Sequence, residues 1–274
     1  MKLWRYPITS LFTITWAFVS LTSARARGWA QFHQPINNLF IQQSQIKNQN
    51  SRDFAEDGIP SSGNRTGGAS RSPCPYTNPP LTALMPIINR GKTVADRPTL
   101  WFYVPYSSQQ ASAGEFVLKE EGNKEIFRIP FTLPRTPGLV SFSIPSTKAP
   151  LEIDKEYVWF FKVICQQQEA SVSEPSLEPG ILVQGWVQRV KPTPELESEL
   201  KAKTEPEYTI YTNHLIWYDA LDSLTKLRIT QPTNTKLTDE WINLFKLKGI
   251  EGDDLDPQKL KQPIVGSVVV QSSQ

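Results

Sequence analysis

LEIDKEYVWFFKVIC, residues Leu151 to Cys165, places a leucine six positions before a tyrosine, and the tyrosine opens a nine-residue β-prone run ending in cysteine. This layout resembles a tyrosine corner, marked here by Leu151 and Tyr157, in which a Tyr near the start of a late strand is expected to bond its hydroxyl back to the preceding loop. Outward from this corner the chain keeps strand character. Leu81–Leu84, Thr99–Val104, Glu115–Lys119, Glu125–Leu133, Leu139–Ile144 and Ile181–Val190 join Tyr157–Cys165 as candidate strands. Glu121-Gly122-Asn123, Pro134 to Gly138 and Pro145 supply turns between them. Glu115–Leu133 reads as a hairpin about Gly122-Asn123.

Short strands at roughly ten-residue spacing, with no helical period between them, predict an antiparallel sandwich of immunoglobulin or fibronectin-III type over residues 73–190. Pro105, Pro130 and Pro145 fall near strand ends or require edge positions, because proline donates nothing to a ladder. The chain has two cysteines, Cys74 and Cys165. A disulfide between them is the expected reading, tying the start of the folded domain to the end of the Tyr157 strand, closing a loop of about ninety residues and contributing roughly 4–5 kcal/mol in the chain-entropy model. Free thiols are the other reading. A zinc site is disfavoured, because two cysteines with the distant His33 and His214 fit no ligand spacing.

Residues 1–30 read as an export signal: Lys2 and Arg5, an apolar run from Ile8 to Leu21, then small residues ending at Ala26 or Ala30. The alternative is an uncleaved anchor, but the run is about fourteen residues where a span needs roughly 20. No later segment is long and apolar enough to span, so no membrane span is expected after cleavage. Residues 31–72 are rich in Gln, Asn, Ser and Gly and are expected to be a disordered linker. Lys and Arg total 29 against 27 acidic residues, a balance that steers the chain toward neither nucleic acid nor anionic lipid.

Beyond Lys191 the period becomes helical. Ile216, Ala220, Leu224 and Leu227 share one stripe, Thr230 to Asn234 breaks it, and Leu237, Trp241, Leu244 and Phe245 form another. Residues 191–250 are therefore expected to form a helical hairpin docked on the sandwich, giving α+β overall. Glu195 to Lys203 is a further helix-prone stretch. Residues 251–274 are expected to be a mobile tail, with Ile264–Val270 as its only β-prone piece.

Catalytic signals are sparse. His214 stands one turn from Tyr218 and near Asp219, and Asp219 and Asp222 share a helix face at i,i+3 spacing. A surface or packing role is the default for each. Asp253, Asp254 and Asp256 lack the spacing of a calcium loop. No cofactor or metal is implied. Trp101-Phe102-Tyr103 and Trp159-Phe160-Phe161 carry more information, since neighbours on a strand point to opposite faces. With Trp101, Tyr103, Trp159 and Phe161 inside, Phe102 and Phe160 lie outside. There they either meet Trp217 and Trp241 of the hairpin or offer a platform to a partner.

Cys74-Pro75, Leu81 to Pro86, Trp101 to Tyr106, Glu115 to Leu118, Gly185 to Val190 and Trp217 to Leu221 occur here in order. This series resembles a secreted cyanobacterial family catalogued as domain of unknown function 928, over about Cys74 to Ile250. The resemblance implies export, a β-rich domain and a helical end, and it brings no activity or catalytic residue. The stretch before Cys74 departs from the Arg/Gly-rich arm frequent in that family, being mostly Ser and Asn. The expected function is a non-catalytic protein–protein interaction or scaffold module of the cell envelope, located in the periplasm, at the cell surface or outside the cell. A glycan-binding module using exposed aromatics is the alternative. A hydrolase or metal-dependent enzyme built on His214, Asp219 and Asp222 is the third reading.

Overall fold

Ten strands and four helices form among the residues described by the structure, a computed structural model covering residues 63–67, 74–120, 123–166, 180–252, 255 and 261–271. All belong to the unit Asn48–Gln274. The expected export signal lies outside the described residues, as do 31–62 and 68–72 of the expected linker and Asp253, Asp254 and Asp256.

The chain is mostly β, in two mixed sheets. The smaller contains β1 (Thr82–Ala83), β3 (Thr99–Val104), β6 (Gly138–Ser143) and β9 (Ile264–Ser267), in that order. The larger runs β10 (Val269–Val270), β5 (Glu125–Thr132), β4 (Ala111–Glu120), β7 (Glu156–Cys165), β8 (Gly180–Arg189) and β2 (Arg90–Thr93). The sheets pack face to face through aromatic rings. Phe102 of β3 stacks on Phe161 of β7, and Phe116 of β4 on Phe142 of β6, each pair with centroids 3.9 Å apart. Truncating a ring buried this way costs about 3–5 kcal/mol.

The corner at the start of β7 takes shape around Tyr157. The Glu152 backbone N–H donates to the Tyr157 hydroxyl at 3.0 Å, and Leu151 is buried with its N–H donated to the Asp96 carbonyl. At the other end of β7, Cys165 is bonded to Cys74 with Cα atoms 5.3 Å apart. The bridge fastens the segment before β1 to the strand that the corner begins.

Several expectations need correction. The pairing is not wholly antiparallel: β2 runs parallel to β8, and β9 parallel to β6. The tail is not simply mobile, because Ile264–Ser267 pairs with β6 while Val269–Val270 pairs with β5, so one short segment takes an edge of each sheet. Part of the expected linker is also fixed. Asn64 bridges to Gln184 and Thr66 to Thr82, and Arg65 is buried, donating from Nη1 to the carbonyls of Met85 (3.2 Å) and Ile250 (2.9 Å). A buried guanidinium requires such acceptors, and here they join the segment to the helical end.

That end comprises α1 (Pro194–Ala202), α2 (Glu207–Asn213), α3 (Trp217–Thr230) and α4 (Thr235–Phe245). Thr193 caps α1 by accepting from the Leu196 N–H, with Pro194 opening the helix, and Asn234 caps α4 by accepting from the Lys236 N–H. The two expected amphipathic helices are α3 and α4. The partners of α3, however, are chiefly α2, β2 and β3, so four helices rather than a lone hairpin close this side of the sandwich. Gly91 permits the close approach, since a Cβ there would stand 2.8 Å from the Tyr218 ring.

Candidate functional site

The two aromatic triples fare differently. On β7 the expected alternation holds in space: Trp159 and Phe161 are buried inward, and Phe160 is half-buried on the outer face. On β3 it is reversed. Phe102 is 0% exposed and packs between the sheets against Phe161 and Trp159, while Trp101 and Tyr103 face the helices. The Trp101 indole N–H donates to Asp222 Oδ1 at 3.1 Å. Phe102 is therefore no candidate for a binding surface. Neither are Trp217 and Trp241, both fully buried. The Trp217 indole N–H donates to the Leu84 carbonyl at 2.9 Å, and the Arg228 guanidinium lies over Trp241 at 4.3 Å.

Asp219 and Asp222 do come together, in a groove of about 260 Å³ between α2, α3 and the β2–β3 connection, which Tyr211 and Lys226 also line. Both carboxylates are committed to the protein. Asp219 accepts from the Val94 N–H at 3.2 Å, and Asp222 holds the Trp101 indole and Lys226, whose Nζ is 2.6 Å away. Burial pushes the Asp219 carboxyl from 3.8 up to about 6, with the Asp222 charge adding to the rise and bonds from Thr93 and Val94 opposing it. Burial likewise pushes the Tyr211 phenol up to about 12, helped by Asp219 and Glu207. His214 is not part of this set; its Nε2 sits 3.1 Å from Glu199. Among the described residues no group of three or more His, Cys, Asp or Glu side chains could hold a metal. The pair of aspartates thus fastens α3 to the strands, and a base, a nucleophile and an orienting group are not assembled around it.

The open chemistry lies on the outer face of the larger sheet. Register sets Val117, Phe160 and Gln184 side by side across β4, β7 and β8, the next outward row being Lys119, Val158 and Trp186. A third row, Glu115, Lys162 and Leu182, continues the face on the other side of Phe160, and Leu182 is 43% exposed. Lys119 Nζ stands 5.3 Å from the Phe160 ring centre, and Arg128 on β5 pairs with both Glu115 and Glu125. Val117 and Val158 are buried beneath their neighbours, so the apolar part that meets solvent is Leu182 with half-buried Phe160, and the margin carries charges of both signs. Helical contacts fall mainly on β2 and β3, away from this surface.

Toward β2 the same face opens into a groove of about 730 Å³ lined by Trp186, Gln188, Arg90, Glu156, Glu120 and Lys155, among others. Trp186 belongs to the Gly185 to Val190 stretch that carries the family resemblance. Its orientation was nonetheless readable, since Leu182, Gln184, Trp186 and Gln188 alternate with Ile181, Val183, Gly185 and Val187.

Among its described residues the chain is a mostly β protein of two mixed sheets with four helices beside them. A family model described as Domain of Unknown Function (DUF928) matches residues 66–260, and the chain belongs to that family. No curated protein and no solved structure matches it.

Proposed function

We propose that the chain is an exported, non-catalytic interaction module of the cell envelope that holds a partner protein against the outer face of its larger sheet. The observation that carries this is the outer face around half-buried Phe160 and exposed Leu182, with Val117 and Val158 buried beneath their neighbours and Lys119, Lys162, Glu115 and Arg128 around them. An apolar centre inside a charged margin is the anatomy of a protein interface, with aromatics as anchors. Export is supported by the N-terminal charge-then-apolar pattern and by the Cys74–Cys165 bridge, which persists in oxidising compartments such as the periplasm, the cell surface or the medium.

The test is a cross-linked pull-down from the envelope with the tagged protein, comparing wild type with Phe160→Ala and Leu182→Ala. A partner protein recovered by wild type and lost in both variants, at unchanged melting temperature, is the expected result. Equal recovery by all three would overturn the reading.

A further inference from the structure

The Trp186 groove differs from the surface beside it in one chemical respect: each of its cations is already held by a carboxylate. Arg90 Nε lies 3.2 Å from Glu156 Oε1, and Lys155 Nζ lies 3.5 Å from Glu120 Oε1 and 2.8 Å from Glu152 Oε1. Two cations set among Glu120, Asp154 and Glu156 leave no unbalanced positive charge to draw in an anion. The lining holds three carboxylates to two cations, an excess that repels an anion. What such a groove does offer is a dense array of donors and acceptors at fixed spacing, to which the Gln188 amide adds one of each.

The flat group in the groove is an indole. Four of the five described tryptophans, Trp101, Trp159, Trp217 and Trp241, are buried, whereas Trp186 is only half-buried. Its backbone is fixed on both sides, the N–H donating to the Asn89 carbonyl at 2.8 Å and the carbonyl accepting from the Tyr218 hydroxyl at 2.8 Å. The ring is therefore mounted on a strand that is bonded to its neighbours and to α3, a rigid support of the kind that lowers the ordering cost of binding.

From these features we infer that the groove is a binding site for an uncharged pyranose chain, one sugar laying its C–H face on the Trp186 indole while its hydroxyls bond to Gln188, Arg90 and Glu156. A sugar ring is amphipathic in the way this site requires, with an apolar face and a rim of neutral hydroxyls. Such a site lies beside the protein-binding surface around Phe160 and does not depend on it.

Because Trp186 is the half-buried tryptophan of the described set, its emission reports occupancy directly. Cellohexaose, maltohexaose and chitohexaose would be titrated into the purified chain and into Trp186→Phe, with an oligogalacturonate hexamer as the anionic control. A saturable shift with at least one neutral hexamer, absent from the Trp186→Phe difference signal and weakened at least tenfold by calorimetry in Trp186→Ala, is the expected result. Should Trp186→Ala misfold, Gln188→Ala takes its place, with several-fold weaker binding expected at unchanged melting temperature. No binding of any neutral hexamer at millimolar concentration overturns the assignment, as does binding of the anionic hexamer alone or equal affinity in the folded groove variants. Phe160→Ala should bind the hexamer like wild type, so loss of the protein partner and loss of the sugar remain separate outcomes.

Discussion

Replacing Asp219 by asparagine should stabilise the protein at pH 8 and leave it nearly unchanged at pH 4. The carboxyl sits in the first turn of α3 against the end of β2, where burial holds it at about 6 instead of 3.8. The native state therefore binds this proton more tightly than the unfolded chain does. Burying the ionised form costs nothing below about pH 4, costs progressively more between pH 4 and pH 6, and costs its full amount above that. The two values differ by an amount worth on the order of 3 kcal/mol. Asparagine keeps an oxygen for the Val94 N–H and carries no charge, but it accepts a weaker bond than a carboxylate, so a net gain of about 1–2 kcal/mol is expected at pH 8. In a domain of this size that is roughly 2–8 °C of melting temperature. Urea unfolding of both proteins from pH 4 to pH 8, with the disulfide intact, gives the difference directly and cancels the titrating groups that do not interact with Asp219. A variant destabilised by the same amount at every pH would refute the reasoning, because the accepted bonds would then outweigh desolvation.

Two further outcomes follow from the frame of the sandwich. Tyr157→Phe removes the acceptor of the Glu152 N–H and should cost on the order of 1 kcal/mol; an unchanged urea midpoint would show that the corner bond contributes nothing. Replacing Cys74 and Cys165 together by alanine opens a loop spanning 91 positions and should cost about 4 kcal/mol. Wild type unfolded in excess dithiothreitol should match the double variant, and stability insensitive to reductant would contradict that.

Seven of the ten strands were legible because their alternation, turns and β-branched content are local properties. β7 is the clearest case, where Trp159 and Phe161 face inward and Phe160 outward as the pattern requires. β3 was misread for a physical reason. All but Thr99 of its residues are buried, since the second sheet covers one side and the helices the other. Alternation marks a face only when the opposite face meets water. The fate of Phe102 therefore depended on the covering elements and not on Trp101 and Tyr103 beside it. Trp186 was legible in principle, its neighbours alternating cleanly, but its partners Arg90 and Glu156 come from β2 and β7 and meet it only through strand order.

The sequence by itself determined the strand-rich middle, the tyrosine before its nine-residue run, the two cysteines available for pairing, and the amphipathic stripes that became α3 and α4. All depend on residues close in the chain or on a pair with no competitors. Tertiary structure decided the parallel edges at β2 and β9, the burial of Arg65, the capture of Ile264–Val270 by both sheets, and the use of Asp219 and Asp222 as fasteners. Those features are set by which edge, carbonyl or N–H a distant segment presents. Short polar or β-prone stretches have too little preference of their own to hold one conformation until that partner is in place.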